Sequence, residues 1–269
     1  ADSHKGDAGH LAVLAGSVVT AGASRLAARA ALRSGVGRVT LVGDDDHTGF
    51  SQDGPELMHR RLGSGDVKAL PKFQAWVVGP GMGTNAEAMQ RGRIALDLAA
   101  QARVPAIVDA DALALLNDNT RTAWPPCVVA TPHPAEAARL LKCTTDDVQH
   151  DRLAALRSLC AMPASRSTRV VWVLKGASPL VGAANQVPVV VPGGQPVLAI
   201  GGSGDVLSGV LGAMLARATD PFDATLLGVA AHQQAGRLLA KHQAGGHLAS
   251  ELADAVQRAL FDDDDRTPT

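Results

Sequence analysis

Short apolar runs alternate with longer segments of helical periodicity along the whole chain, and this alternation limits the folds that it can adopt. Six runs predict strands, at residues 11–15, 38–42, 75–79, 104–109, 127–131 and 170–175. Helical segments are predicted at 24–34, 85–102, 112–117, 133–142, 146–160, 205–217, 221–242 and 247–261. Strands that alternate with helices are typical of βαβ units. We therefore predict an α/β fold of three layers, in which helices cover both faces of a mostly parallel central sheet.

One segment departs from this alternation. Residues 178–198 contain two β-rich runs around a short polar linker, with no room for a helix, and predict an antiparallel hairpin at the sheet edge. No internal repeat or long linker divides the chain, so we expect one domain over residues 1–269. The acidic tail at 262–269 has the composition of a disordered segment.

Composition narrows the classes of partner. Of 269 residues, 46% are hydrophobic and the formal net charge is −1, so the chain can bury a large core and carries no basic surface suited to nucleic acid or an anionic membrane. No segment approaches the roughly 20 apolar residues of a membrane span. Residues 11–23 superficially resemble a signal peptide, but Gly16 and Ser17 interrupt the apolar run. With three cysteines that lack metal-ligand spacing, a cytoplasmic protein with a small-molecule partner is expected.

Glycine and polar residues concentrate where the predicted parallel strands end, and ligands bind at that edge of open α/β sheets. The segment "GGSGD" (201–205) combines glycines, which allow close backbone approach, with the start of a helix, whose free N–H groups attract anions. Asp205 then has two interpretations. It can be a helix cap or a general base beside a phosphate site, and the two roles are compatible.

Other loops offer similar alternatives. Lys175, at the end of an apolar strand, can contact nucleotide phosphates or be solvated. In "TPHPAE" (131–136), His133 can donate to a substrate and Glu136 can hold Mg²⁺ through water, or the segment can form a capping box closed by Thr131 or a neighbour. Aspartates such as Asp109 and Asp111 are more often helix caps than ligands, and a histidine within a helix, such as His232, is more often a satisfied core residue than a catalyst.

Taken together and in order, these loops resemble the ribokinase-like superfamily, and within it the ADP- or ATP-dependent NAD(P)H-hydrate dehydratases. The motifs that carry the resemblance are "SHKGDAGHLAVLAGS", "GASRLAARAALRSGVGRVTL", "PELM" (55–58), "VVGPGMG", "VDADAL", "TPHPAEAARLL", "VLKGA", "GGSGDVLSG" and "DPFDATLLGVAAHQQAG". They extend over essentially the whole chain.

The resemblance implies an activity that repairs hydrated NADH and NADPH: a nucleotide phosphorylates the C6 hydroxyl, and elimination of phosphate regenerates the cofactor. It implies ADP or ATP as donor, with Mg²⁺, and assigns roles by motif. Asp205 is implied as the base, and the anion hole as Gly202, Ser203 and Gly204. The residues implied to contact the nucleotide are Lys175, Gly176, Ala177, Ser178 and Gly204. The residues implied to contact the hydrated cofactor are Ala23, Gly81, Gly83, His133 and Asp205. Glu136 is implied to be the Mg²⁺ partner.

Three positions depart from the family pattern. Ser203 and Ile200 stand where threonine is common, and Ala135 where glycine is usual. Serine keeps the hydroxyl, whereas Ile200 and Ala135 put the fit of the substrate in question.

The "DSHKG" start resembles the junction that follows an epimerase domain in bifunctional relatives, so we hypothesise that the chain is the dehydratase half of such a protein, and we expect a homo-oligomer. Two alternatives remain: a ribokinase-like kinase of a small alcohol such as a vitamin precursor, and a catalytically silent nucleotide-binding protein.

Overall fold

The computed structural model describes residues 8–16, 20–43, 54–62, 70–117, 123–162 and 168–262. Within these ranges nine strands form one sheet in the order β3-β2-β1-β4-β5-β6-β7-β8-β9. Their bounds are β1 His10–Leu14, β2 Arg38–Gly43, β3 Leu57–Arg61, β4 Ala75–Val78, β5 Ala106–Val108, β6 Cys127–Ala130, β7 Arg169–Leu174, β8 Leu180–Ala183 and β9 Val189–Val190. The first seven strands are parallel, and β8 and β9 run antiparallel to their neighbours. The predicted α/β class with an antiparallel edge hairpin is confirmed.

Helices cover both faces of this sheet, because alternate residues of each strand point to opposite sides. In β1, Ala12 and Leu14 pack into one core, while Leu11 and Val13 pack into the other. The helices are α1 Ala21–Arg33, α2 Ala86–Ala102, α3 Pro134–Leu141, α4 Thr145–His150, α5 Arg152–Cys160, α6 Ser203–Leu215, α7 Pro221–His242 and α8 Ala249–Phe261, with 3-10 helices at Ala110–Asn117 and Pro196–Leu198. The first core lies between the sheet and α2, α3 and α5, and the second lies between the sheet and α1, α6 and α7. Helix α8 packs against α1, α6 and α7 in a third cluster.

Two local predictions need correction. The helix predicted over residues 146–160 is two helices, because Asp151 leaves helical geometry (φ −137°, ψ 84°) and its side chain accepts from the Ala154 N–H at 2.9 Å to begin α5. Strand β3 was not predicted, since "LMHRR" is a half-exposed edge strand without a clean alternation of apolar residues.

Several predictions concern residues beyond the described ranges. The "SHKGD" start and all but the first residue of the acidic tail lie outside them. The single domain over residues 1–269 stays a prediction. Among the described helices, none is long and apolar enough to cross a membrane.

Helix α6 is buried along nearly its whole length, and two glycines allow it to approach its neighbours closely. A methyl group at Gly209 would overlap the carbonyl oxygen of Ala27 in α1, and one at Gly212 would lie 2.6 Å from Cγ2 of Val77 in β4. Helix α6 is therefore pressed between α1 and the sheet, and its N-terminus is held at the carboxyl edge of the parallel strands.

We expect Gly209→Ala to lower the unfolding free energy by roughly 1–3 kcal/mol, because the added methyl group overpacks the α1–α6 contact. Gly22→Ala is the matched control: Gly22 also lies in a helix, but nothing is within 4 Å of an added methyl group. This control should leave stability unchanged or raise it by up to about 1 kcal/mol. Urea unfolding of both variants measures the difference, and equal effects would contradict the packing argument.

Candidate active site

Most of the predicted site loops meet at the carboxyl edge of the parallel strands, around a cavity of about 730 Å³. This volume falls in the range of small-molecule sites, roughly 300–1,000 Å³. Eight predicted site residues line it: His133, Glu136, Lys175, Gly176, Ala177, Ser203, Gly204 and Asp205. The tertiary structure thus brings residues that are distant in sequence into one site.

Asp109 and Lys175, which both line the cavity, form a buried ion pair. Lys175 Nζ lies 2.8 Å from Asp109 Oδ1, and Ser208 Oγ of α6 donates to Asp109 Oδ2 at 2.7 Å. Burial alone would raise the pKa of Asp109, but the charge and hydrogen bond of Lys175 outweigh it and hold that pKa below its ordinary value. The pKa of Lys175 is raised in spite of burial, because Asp109 and Glu136 both face its ammonium group. Both members of the pair are therefore ionised at neutral pH.

Asp109 is a functional residue that the sequence interpretation missed, because aspartate at the end of a strand also suits a helix cap. Its carboxylate instead binds Lys175 and Ser208. A carboxylate directly after the fully buried strand β5, and a lone serine within the apolar helix α6, were the available signals. The neighbouring Asp111 accepts from the Gly83 N–H at 2.8 Å, which ties the "GPGMG" turn to the 3-10 helix.

The start of α6 supplies the anion-binding element. Gly202 precedes the helix in the left-handed region (φ 89°), where a side-chain carbon would lie 2.5 Å from Cδ1 of Leu26, so glycine is required there. No side chain caps the helix. The Ser203 N–H donates to the carbonyl oxygen of Ile200 at 3.3 Å, whereas the N–H groups of the next two residues, Gly204 and Asp205, remain available to a ligand.

Asp205 is the third residue of α6 and lines the cavity. The interpretation of Asp205 as the helix cap is wrong, since its carboxylate does not accept from the first-turn N–H groups. Burial and the charge of Asp109 raise its pKa from 3.8 to about 6, against the opposing effect of Lys175. A carboxylate with a pKa this close to neutrality is suited to accept a proton during a reaction.

His133 and Glu136 form a capping box at the start of α3. His133 Nδ1 accepts from the Ala135 N–H at 3.1 Å, and Glu136 Oε2 accepts from the His133 N–H at 2.7 Å. The capping alternative is confirmed, with His133 itself as the cap rather than Thr131. Burial lowers the pKa of His133 against the charge of Glu136, so the ring is neutral, with its proton on Nε2. Both side chains still line the cavity, and Glu136 Oε2 lies 3.6 Å from Lys175 Nζ.

The remaining predicted residues do not line the cavity. Ala23 and Gly81 lie together, since a carbon added at Gly81 would be 3.0 Å from Cβ of Ala23. Gly83, Ser178 and Gly202 are also outside the lining. The roles assigned to these five residues stay predictions.

His232 is buried, as predicted, but it is not fully satisfied, because its Nδ1 has no hydrogen-bond partner among the described residues, and it also lines the cavity. Its Nε2 lies 3.1 Å from the carbonyl oxygen and 3.3 Å from the hydroxyl of Ser203, and burial lowers its pKa to about 4. A neutral His232 thus holds the first residue of α6. Helical periodicity alone could not distinguish this position from an ordinary core position.

No cluster of three or more histidine, cysteine, aspartate or glutamate side chains in the described ranges could hold a metal ion. The carboxylates that line the cavity are Asp109, Glu136 and Asp205, and two of them face Lys175. These residues suit a Mg²⁺ ion that arrives with a phosphate ligand, since Mg²⁺ is usually held by one or two carboxylates together with substrate phosphates.

A model of the NAD(P)H-hydrate dehydratase family matches residues 11–258. The chain belongs to this family. The chain is 40% identical over 266 residues to the ADP-dependent (S)-NAD(P)H-hydrate dehydratase of Neisseria meningitidis. This alignment covers 95% of the chain and 86% of that protein. The chain is 38% identical over 264 residues to the bifunctional NAD(P)H-hydrate repair enzyme of Escherichia coli, covering 96% of this chain and 48% of that protein. The chain thus spans 48% of the length of this bifunctional relative.

Solved structures agree with this assignment. The ADP/ATP-dependent NAD(P)H-hydrate dehydratase of Bacillus subtilis, co-crystallised with ATP and Mg²⁺, superimposes with a TM-score of 0.83 at 30% identity, covering 96% of this dehydratase-family chain and 91% of that chain. The aminoimidazole riboside kinase of Salmonella enterica matches with a TM-score of 0.61 at 15% identity, covering 94% and 99%, and so shares the fold alone. The resemblance predicted from the motifs is confirmed, as is the ribokinase-like fold.

We expect Asp109→Asn to lower the pKa of Asp205 from about 6, because a negative charge that opposes its ionisation is removed. Nearby charges shift such values by about 1–3 units. Asp111→Asn is the control, since Asp111 binds Gly83 and does not perturb Asp205.

The measurement is a ¹³C NMR titration of the Asp205 carboxyl, assigned with Asp205→Asn. It is run below the melting transition of each variant, because breaking a buried pair costs about 3–5 kcal/mol. An unchanged or raised pKa of Asp205 in Asp109→Asn would contradict the electrostatic account.

Proposed function

We propose that this chain is a nucleotide-dependent NAD(P)H-hydrate dehydratase, a lyase that repairs hydrated NADH and NADPH. The observation that carries the proposal is Asp205, a carboxylate with a pKa of about 6 in the first turn of α6, beside free backbone N–H groups and Lys175. The named activities of the Neisseria and Bacillus relatives support it. The assignment of ADP or ATP as donor rests on the same two names.

Asp205 acts as the general base. Its carboxylate takes the proton from the C6 hydroxyl of the hydrated cofactor while the hydroxyl oxygen attacks the terminal phosphoryl group of the nucleotide. The N–H groups at the start of α6, from Gly204 and Asp205, stabilise charge on the phosphoryl oxygens during transfer. The nucleotide leaves with one phosphate fewer.

Elimination then completes the repair. Hydroxide is a poor leaving group, whereas the phosphate ester at C6 leaves readily with its bonding electron pair. The lone pair of the ring nitrogen assists its departure, and loss of the proton at C5 restores the C5–C6 double bond. The products are the reduced cofactor and inorganic phosphate, so the nucleotide supplies the driving force and the oxidation state of the ring does not change.

The charges of the cavity bear on the role of Mg²⁺. Its lining has three carboxylates and one ammonium group, an arrangement that would repel an anionic nucleotide. Mg²⁺ bound with the nucleotide would supply positive charge that offsets this repulsion. Glu136 is the residue that we propose to hold it through water. Its carboxylate is 11% exposed, borders the cavity and is already held in place by the His133 N–H.

One finer proposal follows from the relatives. We propose that the chain acts with, or is joined to, an NAD(P)H-hydrate epimerase domain, since the E. coli relative is named bifunctional and the chain spans 48% of its length. Homo-oligomerisation and a cytoplasmic location stay predictions. The small-alcohol kinase and the silent nucleotide-binding protein remain the alternatives that experiment must exclude.

Mixing the protein with hydrated NADH, Mg²⁺ and either ADP or ATP should restore the near-ultraviolet absorbance band of reduced nicotinamide. Recovery only in the presence of nucleotide establishes the dehydratase and identifies the donor. Chelation of Mg²⁺ should stop recovery, because the carboxylates are then left uncompensated. Nucleotide binding without recovery would favour the kinase or the silent relative.

Asp205→Asn should lower turnover by roughly two or more decades, the usual effect of removing a general base, while nucleotide binding survives. Asp223→Asn is the matched control, since Asp223 is also the third residue of a helix, α7, but is exposed and does not line the cavity. Unchanged turnover in Asp205→Asn would remove Asp205 from the chemistry.

The same variant tests how much the ionised carboxylate of Asp205 lowers the free energy of unfolding. Because the folded-state pKa of Asp205 lies above 3.8, the folded state binds the proton more tightly, and stability is lost as pH rises through about 6. Asp205→Asn should therefore raise the unfolding free energy above pH 6 and not at pH values below 3.8. Urea unfolding across this pH range measures the effect, and a pH-independent difference would contradict the raised pKa.

A further inference from the structure

Arg152, the first residue of α5, holds the segment that carries Lys175. We name residues 174–178 the Lys175 loop. The Nη2 atom of Arg152 donates to the carbonyl oxygens of Leu174 and Lys175, both at 3.1 Å, and Nη1 donates to that of Ser178 at 3.2 Å. One guanidinium group therefore ties the two ends of the loop together, and neither a lysine nor a neutral side chain offers the same planar fork of donors.

The guanidinium group packs directly against the backbone that borders the cavity. Gly176 lines the cavity, and a side-chain carbon added to it would lie 2.6 Å from Nη2 of Arg152. Arg152 itself is not part of the lining. Since the C=O and N–H of a trans peptide point in opposite directions, the Lys175 carbonyl that faces Arg152 directs the Gly176 N–H away from the guanidinium group.

Arg152 and Lys175 are both positively charged, but only Lys175 has carboxylates close to it. Lys175 is matched by Asp109 at 2.8 Å and faces Glu136 at 3.6 Å. In contrast, within the part of the chain that the structure describes, no carboxylate lies within 4.0 Å of the Arg152 guanidinium group, and its buried Nε has no hydrogen-bond partner. A half-buried cation without a counter-ion is destabilising, and an anion bound on the other side of the loop would offset that effect.

We propose that Arg152 is a positioning residue for the phosphates of the nucleotide: it fixes the Lys175 loop and supplies positive charge that Lys175, matched by Asp109 and Glu136, does not. The inference rests on the proposed function only in taking a nucleotide as the ligand of this loop. It assigns Arg152 to binding rather than to the proton transfer at Asp205.

Calorimetric titration with Mg·ADP and Mg·ATP tests the proposal independently of turnover. Arg152→Met should weaken nucleotide binding about tenfold or more, as expected when a binding loop is displaced. Arg157→Met is the matched control, because Arg157 lies exposed on the same helix, and it should bind within twofold of the unmodified protein. Affinity within twofold for Arg152→Met would overturn the proposal. If that variant does not fold, Arg152→Lys decides in its place by the same criterion, since it keeps the charge but not the fork.

Two further readouts separate positioning from general stability. In the dehydratase assay, the KM for nucleotide should rise in Arg152→Met while the KM for hydrated NADH stays unchanged. Methylguanidinium at millimolar concentration should restore nucleotide affinity to Arg152→Ala, whereas sodium chloride at equal ionic strength should not. Loss of affinity for both ligands, without rescue, would assign Arg152 a purely structural role. Nucleotide binding that depends on Arg152 without dehydration would reject the proposed function and leave this inference intact.

Discussion

The close packing of α6 between α1 and the sheet is the constraint on which the site depends. Helices normally pack 8–10 Å apart, and the absence of side chains at Gly209 and Gly212 lets α6 approach the backbone of α1 and the side chains of the sheet. This placement brings Ser208 to the buried carboxylate of Asp109. It also directs the first turn of α6, with Asp205, into the cavity. Packing far from any ligand therefore decides where the chemistry takes place.

The electrostatics of the cavity follow from that placement. Asp109 and Lys175 form a buried pair, and Asp205 experiences both charges, together with its own burial. The negative charge and the burial prevail, so Asp205 titrates near neutrality instead of near 3.8. A base of this kind is destabilising when it is ionised, because the folded state favours its protonated form. Reactivity and local instability have the same physical origin here.

Three of the loops at the sheet edge are held by contacts that a motif does not show. Arg152 binds three carbonyl groups of the Lys175 loop, His232 holds Ser203 at the start of α6, and His133 with Glu136 closes the start of α3. Each contact fixes backbone rather than touching the reacting atoms. Such preorganisation matters because catalysis depends on groups that are already in place when charge develops.

The sequence by itself determined the class of fold and the family. Apolar runs long enough to be buried strands, and glycines at their ends, fix a parallel sheet with ligand loops at one edge. The edge strand β3, the break at Asp151 and the double role of His232 gave no comparable signal, because local patterns there fit more than one structure. Only the tertiary structure decided which charges meet: Asp109 and Lys175 lie 66 positions apart, and their pairing, like the pKa of Asp205, depends on distances and burial that exist only after folding.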